Sequence, residues 1–276
     1  MKTWLITGAS SGLGRLMCEN LLARGDRVVA SVRREAALED MRAQYGESLQ
    51  VMVLDLSHTG TIKPAVEAAF EQAGRFDVVV SNAAYGLSGA AEELSDRQIE
   101  RQIATNLTGS IQLIRAVIPL MRQQGGGRIV QVSSEGGQIA YPNFSLYHAT
   151  KWGIEGFVES VRQEVAAFGI DFLLVEPGPT ATNFGAGLDI ADALPVYRDT
   201  AAGEVRKALA NGEFTIKGDA QKCVTAMIAA ADADSTPLRL PLGSTAWDNI
   251  EKALSMRLDA LRAMKSVAYS ADSLKE

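Results

Sequence analysis

The sequence predicts an α/β fold in which a doubly wound parallel sheet is flanked by helices, within a single domain. Short β-rich apolar runs alternate with longer helical patterns, and the runs are apolar on both of their faces. Such strands are typical of a parallel sheet that helices cover on each side. No internal repeat and no Pro/Ser-rich linker interrupts the pattern before Val175. Six strands are expected, at 3–7, 27–32, 49–54, 77–81, 128–133 and 170–175.

Composition excludes several classes of protein. Of the 276 residues, 47% are hydrophobic and 22% are charged, which is usual for a globular protein that buries a large core. The formal net charge is −6, and no cluster of Lys and Arg occurs. Proteins that bind nucleic acid or an anionic membrane surface are typically basic, so we expect neither as a partner.

Cysteine and histidine are scarce. Cys18 and Cys223 lie far apart in apolar helical patterns, which suits buried thiols in a reducing compartment. With only His58 and His148, a histidine-based metal centre is not expected. No apolar run reaches the ~18 residues of a membrane span, and the first strand starts too early for a signal peptide. These patterns favour a cytoplasmic protein.

A glycine-rich turn follows the first strand and leads directly into a helical pattern. Its sequence is Thr7-Gly8-Ala9-Ser10-Ser11-Gly12-Leu13-Gly14. Glycines let the backbone approach a pyrophosphate, and the N-terminus of the next helix offers free N–H groups. The turn predicts a Rossmann-type dinucleotide site, with a purely steric turn as the alternative. Cofactor contacts are expected from Gly8, Ser10, Ser11, Gly12, Leu13 and Gly14.

The end of the second strand bears on the choice between NADP(H) and NAD(H). An acidic residue there would hold the ribose 2′-hydroxyl, whereas an arginine accommodates a 2′-phosphate. This strand ends without a carboxylate, and Arg33-Arg34 follow directly. Solvated surface charge is the alternative explanation. The pair favours NADP(H), with NAD(H) the less favoured cofactor.

Two further strand ends carry polar or small residues. Asp55-Leu56 end the third strand, and Asn82-Ala83-Ala84 end the fourth. Ligands of open α/β sheets bind at the carboxyl ends of the strands, so both segments are expected to contact the cofactor. Asp55 either caps the next segment or accepts a hydrogen bond from the adenine amino group. Small residues after Asn82 leave room for an adenosine.

Tyr147 and Lys151 begin a long proline-free helical run, 147–168. Four residues apart on a helix, their side chains share one face. A phenol titrates near pKa ~10, and a nearby ammonium favours the phenolate and lowers that pKa. Such a phenol can exchange a proton with an alcohol or a carbonyl oxygen. A solvated helix face is the alternative if no other motif accompanies the pair.

Two polar residues lie at unusual places. Asn106 falls within the helical run 96–121, where a mid-helix Asn near Gly109 is locally unfavourable. It indicates either a functional role or a local kink. Ser134 ends the fifth strand, thirteen residues before Tyr147. It is either a turn former or a hydroxyl that binds the substrate oxygen.

The chain after the sixth strand is expected to complete the site. Prolines and a glycine shape the turn there, and Thr182 is expected to bind the nicotinamide carboxamide. Cofactor contacts are expected from Pro177, Gly178, Thr180 and Thr182. Residues 183–198 are mildly apolar and predict a mobile cover over the substrate. The substrate wall is expected to include Tyr85, Tyr141, Phe144 and Phe184.

The rest of the chain is predicted to be an extension, about 183–265, of a core that ends near residue 182. The extension is expected to hold a helix at 219–231, a short strand near 238–240 and a last helix at about 245–264. The polar tail from Ser266 is expected to fray.

Over about residues 2–183 the chain strongly resembles the short-chain dehydrogenase/reductase family. The motifs that carry the resemblance occur in the family's order: Thr7-Gly8-x-x-x-Gly12-x-Gly14, Asp55, Asn82-Ala83, Asn106, Ser134, Tyr147-x-x-x-Lys151 and Pro177-Gly178. One departure is Ser81-Asn82-Ala83-Ala84, where the family usually has Asn-Asn-Ala-Gly. Only a minor adjustment around the adenosine is expected from it.

The resemblance implies a role for each catalytic position. Tyr147 would be the general acid/base, and Lys151 would bind the nicotinamide ribose and depress the pKa of Tyr147. Ser134 would hold the substrate oxygen. Asn106 would hold a water that links Lys151 to solvent. The family rule also implies a homo-oligomer, a dimer or tetramer, built on the helices that carry Asn106 and Tyr147.

A second, less specific resemblance involves residues 218–222 and 237–243, which look like the branch of 17β-hydroxysteroid and retinol dehydrogenases. The expected function is an NADP(H)-dependent oxidoreductase that interconverts a small-molecule carbonyl, ketone or aldehyde, and an alcohol. One alternative is a non-catalytic NADP(H)-binding protein that senses redox state. Another is an epimerase or dehydratase on the same fold.

Overall fold

The computed structural model describes residues 1–213 and 216–273. Within them, seven parallel strands form one sheet in the order β3-β2-β1-β4-β6-β7-β9, and β5 pairs with β8 in a small second sheet. The strands are β1 Thr3–Thr7, β2 Arg27–Val32, β3 Leu49–Val53, β4 Val78–Ser81, β5 Leu87–Ser88, β6 Gly127–Val132, β7 Ile170–Pro177, β8 Asp189–Ile190 and β9 Arg239–Leu242.

Helices cover both faces of the large sheet. They are α1 Gly12–Ala23, α2 Glu39–Tyr45, α3 Ile62–Ala73, α4 Asp96–Ile103, α5 Gly109–Gln123, α6 Ser145–Val165, α7 Ala201–Ala210, α8 Ala220–Asp232, α9 Ser244–Ala263 and α10 Lys265–Ser270. Among the described helices, none is long and apolar enough to cross a lipid bilayer.

The central strand β1 shows how the sequence divides between two cores. Successive strand residues point to opposite faces, so Trp4 and Ile6 pack in the cluster that contains α1 and α8. Leu5 packs in the other cluster, with α3, α5 and α6. Leu5 also pairs with Val29 of β2 and with Val79 of β4. Apolar residues on both faces are therefore needed, and the predicted doubly wound sheet is confirmed.

Strand order reverses between β1 and β4. From β1 the chain moves outward through β2 to β3, then returns to β4 on the other side of β1. The connections that follow β1 and β4 lead to helices on opposite faces of the sheet, and the strand ends at such a point are where these sheets bind ligands. The Gly8 turn and the Asn82 segment follow these two strand ends.

The predicted helix at 96–121 is interrupted. Residues Ala104–Thr108 form a π-helical segment between α4 and α5. A side chain on Gly109 would overlap the backbone oxygen of Leu56, at 2.7 Å, so α5 packs unusually close to that loop. A π segment inserts one residue into a helix and turns its side chains, and here it contains Asn106.

The C-terminal part differs from expectation in three ways. No helix was expected in it before residue 219, yet Ala201–Ala210 form α7. The chain after residue 265 does not fray at once, because Lys265–Ser270 form α10. The small β5–β8 sheet was not expected either, since each strand has only two residues and no alternating pattern. The other expected elements of this part form within two residues of their predicted bounds.

Candidate active site

The glycine turn is shaped by close backbone packing. Gly8 has a φ of +70°, and a Cβ on it would lie 2.8 Å from the Cα of Ala83. A Cβ on Gly14 would lie 2.6 Å from Nδ2 of Asn82. Only glycine fits these two positions, because the first needs the left-handed region and both lack space. The turn therefore brings the start of α1 against the end of β4.

Asn82 locks this arrangement in place. Its Nδ2 donates to the backbone oxygens of Thr7, at 2.9 Å, and of Gly8, at 3.2 Å. In return, the hydroxyl of Thr7 accepts from the backbone N–H groups of Asn82 and Ala83. The sequence pointed to the residues after β4 because of their small size. The side chain of Asn82 has a further role, since it links the ends of β1 and β4.

A cleft of about 610 Å³ opens at the carboxyl ends of the strands. It is lined by most of the residues predicted for the site: Gly8, Ser10, Ser11, Gly12, Leu13, Arg33, Asp55, Leu56, Asn82, Ala83, Ala84, Tyr85, Ser134, Tyr147, Lys151, Pro177, Thr180, Thr182 and Phe184. Within the described part of the chain, six predicted residues do not line it: Gly14, Arg34, Asn106, Tyr141, Phe144 and Gly178.

Asp55 serves as the cap of its own loop. Its Oδ1 accepts from the backbone N–H of Ser57 at 2.9 Å and from the hydroxyl of Ser57 at 2.7 Å. Burial would raise the pKa of Asp55, but these hydrogen bonds outweigh it and hold the pKa below its usual value. The capping alternative is therefore observed, and the carboxylate that borders the cleft is ionised at neutral pH.

Helix α6 and the end of β6 bring three polar side chains together. Tyr147 is 7% exposed and Lys151 is 2% exposed. The Nζ of Lys151 lies 5.7 Å from the ring centroid of Tyr147 and donates to the backbone oxygen of Val132 at 3.0 Å. The hydroxyl of Ser134 accepts from the N–H of Gly136 at 3.0 Å. All three side chains border one cleft.

Burial dominates the electrostatics of this group. It raises the pKa of Tyr147 to about 12, although hydrogen bonding with Ser134 lowers it, and Glu135 raises it further. Burial also lowers the pKa of Lys151 to about 8, against the opposing effect of Glu155. The depressed Tyr147 pKa expected from the sequence is therefore wrong in its net direction, because removal from water disfavours the phenolate more than Ser134 favours it.

Asn106 is occupied by the backbone of Tyr85. Its Oδ1 accepts from the N–H of Tyr85 at 3.1 Å, and its Nδ2 donates to the Tyr85 oxygen at 2.8 Å. The sequence indicated either a functional role or a local kink at Asn106, and the structure has a π-helical irregularity there. From this segment the Asn106 side chain binds the loop after β4. A water between Asn106 and Lys151 stays a prediction.

Two of the four aromatic residues expected in the substrate wall line the cleft. They are Tyr85 and Phe184, and the ring of Phe184 lies 5.8 Å from that of Tyr147. Tyr141 and Phe144 do not line the cleft, and their ring centroids are 5.5 Å apart. Tyr141 packs edge-on against His148 at 4.5 Å, and the ring of Phe144 lies 6.4 Å from that of Tyr147. Both therefore pack against the start of α6, and contact of the four residues with a substrate stays a prediction.

Polar contacts fasten the segment that borders the cleft after residue 182. The cover expected from the sequence comprises residues 183–198. The structure continues it into α7, and we call residues 183–213 the substrate cover. Its β8 strand pairs with β5, and Asp189 accepts from Gln98 at 2.9 Å and lies 3.8 Å from Arg101. Buried Glu93 accepts from the backbone N–H of Leu194 at 2.8 Å. The predicted cover is thus tied to the core at several points.

The same carboxylate holds a helix of the cover. Glu93 also accepts from the N–H of Ala90 at 2.7 Å and forms an ion pair with Arg206 of α7. Burial would raise the pKa of Glu93, but these contacts outweigh it and hold the pKa below its usual value. No sequence pattern pointed to Glu93, Arg101, Asp189 or Arg206, because other charged residues lie close to each of them and their partners lie far along the chain.

Comparisons with known proteins agree with this geometry. A family model described as short chain dehydrogenase matches residues 2–191. Oxidoreductase BOA17 of Botryotinia fuckeliana is 34% identical over 254 residues, which is 91% of this chain and 92% of that protein. Retinol dehydrogenase 16 of Rattus norvegicus is 31% identical over 205 residues, 73% of this chain and 64% of that protein.

A solved structure is similar over the whole length. The crystal structure of a short-chain dehydrogenase from Streptomyces avermitilis is 36% identical, with a TM-score of 0.91. The match covers 99% of this chain and 100% of the other. The similarity therefore includes the substrate cover and the C-terminal helices as well as the dinucleotide-binding core.

Proposed function

This chain belongs to the short-chain dehydrogenase/reductase family, and on that premise we propose that it is an NADP(H)-dependent oxidoreductase. In this proposal it interconverts a small-molecule ketone or aldehyde and the corresponding alcohol. The observation that carries the proposal is the single cleft that Ser134, Tyr147 and Lys151 share with the glycine turn. An acid/base phenol beside a dinucleotide-binding turn suits hydride transfer at a C–OH carbon.

The turn fits a nicotinamide dinucleotide. The missing side chains of Gly8 and Gly14 let the turn pack against Ala83 and Asn82, and α1 starts at Gly12, which lines the cleft, so that a helix N-terminus lies at the cleft. The pyrophosphate would be held by residues 8–14, and Asp55 and Asn82 border the part of the cleft that suits adenosine. When bound, the nicotinamide supplies or accepts the hydride.

The chain's own residues handle the proton. With a pKa of about 12, the Tyr147 phenol is protonated at neutral pH, the form that donates to a carbonyl oxygen. In oxidation Tyr147 first releases its own proton to solvent, and the phenolate oxygen then takes the proton from the alcohol. The Ser134 hydroxyl holds the substrate oxygen, and the Lys151 ammonium favours the phenolate and binds ribose hydroxyls. Phe184 of the substrate cover packs over Tyr147 and excludes water from the phenol.

The direct test measures NADPH oxidation with a panel of ketones and aldehydes, by absorbance at the nicotinamide band. We expect turnover with at least one compound, and a loss of about 10³-fold in kcat for Tyr147→Phe with NADPH binding retained. Full turnover by Tyr147→Phe would contradict the role of the phenol. NADPH binding without turnover of any compound would favour a non-catalytic binding protein.

Arg33 supports the choice of NADP(H). It borders the cleft where the end of β2 meets Asp55, while its neighbour Arg34 does not line the cleft. A 2′-phosphate would gain a charge-assisted contact from Arg33, which the hydroxyl of NAD(H) cannot match. Arg33→Ala should therefore weaken NADPH binding by about 10-fold to 100-fold and leave NADH binding within twofold.

Arg34→Ala is the matched control, since it removes the same charge one residue further on. Equal weakening of NADPH and NADH by Arg33→Ala would remove the argument for NADP(H). Equal effects of Arg33→Ala and Arg34→Ala on NADPH would mean that general surface charge, and not a contact at Arg33, attracts the cofactor.

A further inference from the structure

Helix α6 buries a second charged residue one turn beyond Lys151. Glu155 is 2% exposed, as is Lys151, and the four-residue spacing puts both side chains on the same face of the helix. The proton chemistry proposed above does not use Glu155. A buried carboxylate is costly unless it is paired, so its presence beside the reactive lysine needs an explanation.

Glu155 binds the segment that leads from β6 to Ser134. Its Oε1 accepts from the hydroxyl of Ser133, the first residue after β6, at 2.5 Å. Lys151 donates to the oxygen of Val132, the last residue of β6. Two successive turns of α6 therefore hold the two residues immediately before Ser134.

The loop after Ser134 leaves room for this carboxylate. A Cβ on Gly137 would overlap the carboxyl group of Glu155. Gln138, the next residue, donates from Nε2 to Oε2 of Glu155 at 3.2 Å. The loop thus passes over Glu155 and binds it.

Arg239 closes the network from β9. It forms ion pairs with Glu155 and with Glu176 of β7, and a third at 2.5 Å with half-exposed Glu159 of α6. Gln138 also donates to Glu176 at 3.1 Å. Arg239 thus joins two deeply buried carboxylates, Glu155 and Glu176, and Lys151 lies one helical turn from the first of them.

We propose that Glu155 is a positioning residue that keeps Lys151 in its ammonium form and fixes the end of β6 in front of Ser134. The inference rests on the proposed function, because Lys151 matters as an ammonium only if it serves the cofactor and the phenol. Glu176 shares Arg239 and Gln138 with Glu155 but lies on β7, and it is not a neighbour of Lys151 along α6.

The electrostatics agree with this geometry. Burial lowers the pKa of Lys151 and Glu155 raises it. Burial also raises the pKa of Glu155, while Ser133 and Arg239 act to lower it. In the alkaline range Glu155 is a carboxylate, so neutralising it removes the charge that opposes deprotonation of Lys151. Loss of the ammonium then begins at a lower pH.

The test compares Glu155→Gln with Glu176→Gln. Both variants remove one carboxylate from Arg239, and both are nearly isosteric. NADPH binding is titrated by fluorescence from pH 6 to 10, and folding is checked by circular dichroism. In Glu155→Gln the alkaline loss of NADPH affinity should move down by about one pH unit, roughly a tenfold loss near pH 9, and in Glu176→Gln by less than about 0.3 unit.

Equal shifts in the two variants would overturn the proposal, because they would show that only the charge of the network matters. No shift in folded Glu155→Gln would overturn it as well. If Glu155→Gln does not fold, Arg239→Gln tests the proposal instead. Loss of the nearby guanidinium should move the alkaline loss of NADPH affinity to higher pH, and a shift to lower pH would contradict the proposal.

Binding and turnover separate this inference from the proposed function. If no carbonyl compound is reduced, the proposed function fails, and the pH dependence of NADPH binding still decides the role of Glu155. If turnover is found but Glu155→Gln and Glu176→Gln lose NADPH affinity at the same alkaline pH, only the inference about Glu155 fails.

Discussion

The glycine turn and the substrate cover border the same cleft and are held by different kinds of contact. The turn depends on backbone approach: Gly8 touches the backbone of Ala83, and Asn82 binds the oxygens of Thr7 and Gly8. The cover depends on charged side chains, above all on the ion pair of Glu93 with Arg206.

This difference decides how each side tolerates change. Backbone contact at the turn leaves no space for even one added carbon, so substitution there should act as an all-or-none steric effect. The cover is held by several polar contacts that act in parallel, so the loss of one should act in a graded way and depend on pH. Four predictions test this contrast.

The largest effect is expected at the turn. Gly8→Ala forces a left-handed conformation on alanine and drives its Cβ to 2.8 Å from the Ala83 backbone. We expect NADPH affinity to fall by at least about 100-fold, measured by fluorescence titration. Gly60→Ala is the control, since a Cβ there meets nothing within 4 Å. If Gly8→Ala bound NADPH as well as Gly60→Ala, the steric account of the turn would be wrong.

A smaller effect is expected at the cover. Glu93→Gln removes the charge that holds Arg206 and alters the partner of the Leu194 N–H. We expect about 2 kcal/mol less free energy of unfolding and roughly a tenfold higher KM for the carbonyl substrate, with NADPH affinity within twofold. Chemical denaturation and steady-state kinetics measure these values. Exposed Glu71→Gln, on α3 and away from the cover, is the control. An unchanged KM in Glu93→Gln would show that this ion pair does not hold the cover closed.

The Glu93 contacts also predict a pH dependence. The pKa of Glu93 is lowered in the folded protein, so its contribution to stability is present above the unfolded value, ~4.3, and is lost as pH falls through the folded pKa. The difference in unfolding free energy between wild type and Glu93→Gln should therefore shrink between pH 7 and pH 3. Denaturation curves at pH 7 and pH 3 measure this difference in unfolding free energy. A difference that stays constant would show that the charge of Glu93 does not stabilise the fold.

The smallest effect is expected at Tyr141, in the segment before α6. Tyr141 packs on His148 and Phe144 and does not line the cleft, so Tyr141→Phe should change the substrate KM by less than about twofold. Phe184→Ala, which removes a ring that packs on Tyr147, should raise that KM several-fold and serves as the comparison. A larger effect of Tyr141→Phe on the substrate KM would show that Tyr141 contacts the substrate.

Sequence reasoning succeeded where a function depends on neighbouring residues. The six long strands and the glycine turn followed from local patterns, and the spacing of Tyr147 and Lys151 placed both on one face of α6. Sequence patterns did not predict which side chains border the cleft, because that depends on packing. Tyr141 and Phe144 are as aromatic as Phe184, and Arg34 is as basic as Arg33, yet only Phe184 and Arg33 border the cleft.

The direction of the Tyr147 pKa shows the same limit. Spacing alone reveals the nearby ammonium, which favours the phenolate. The burial that outweighs it arises only when α6, β6 and the substrate cover close around the phenol. The magnitude of a desolvation effect depends on every element that excludes water, and no local pattern contains that information.

By itself the sequence determined the sheet, the dinucleotide turn and the identity of the phenol and ammonium, because strand period, glycine spacing and helix period convert directly into local geometry. Tertiary structure decided which side chains meet across the chain: Glu93 with Arg206, and Arg239 with Glu155 and Glu176. These partners are 63 to 113 residues apart along the chain. Their contact depends on how helices and strands pack, and that packing is a property of the whole fold.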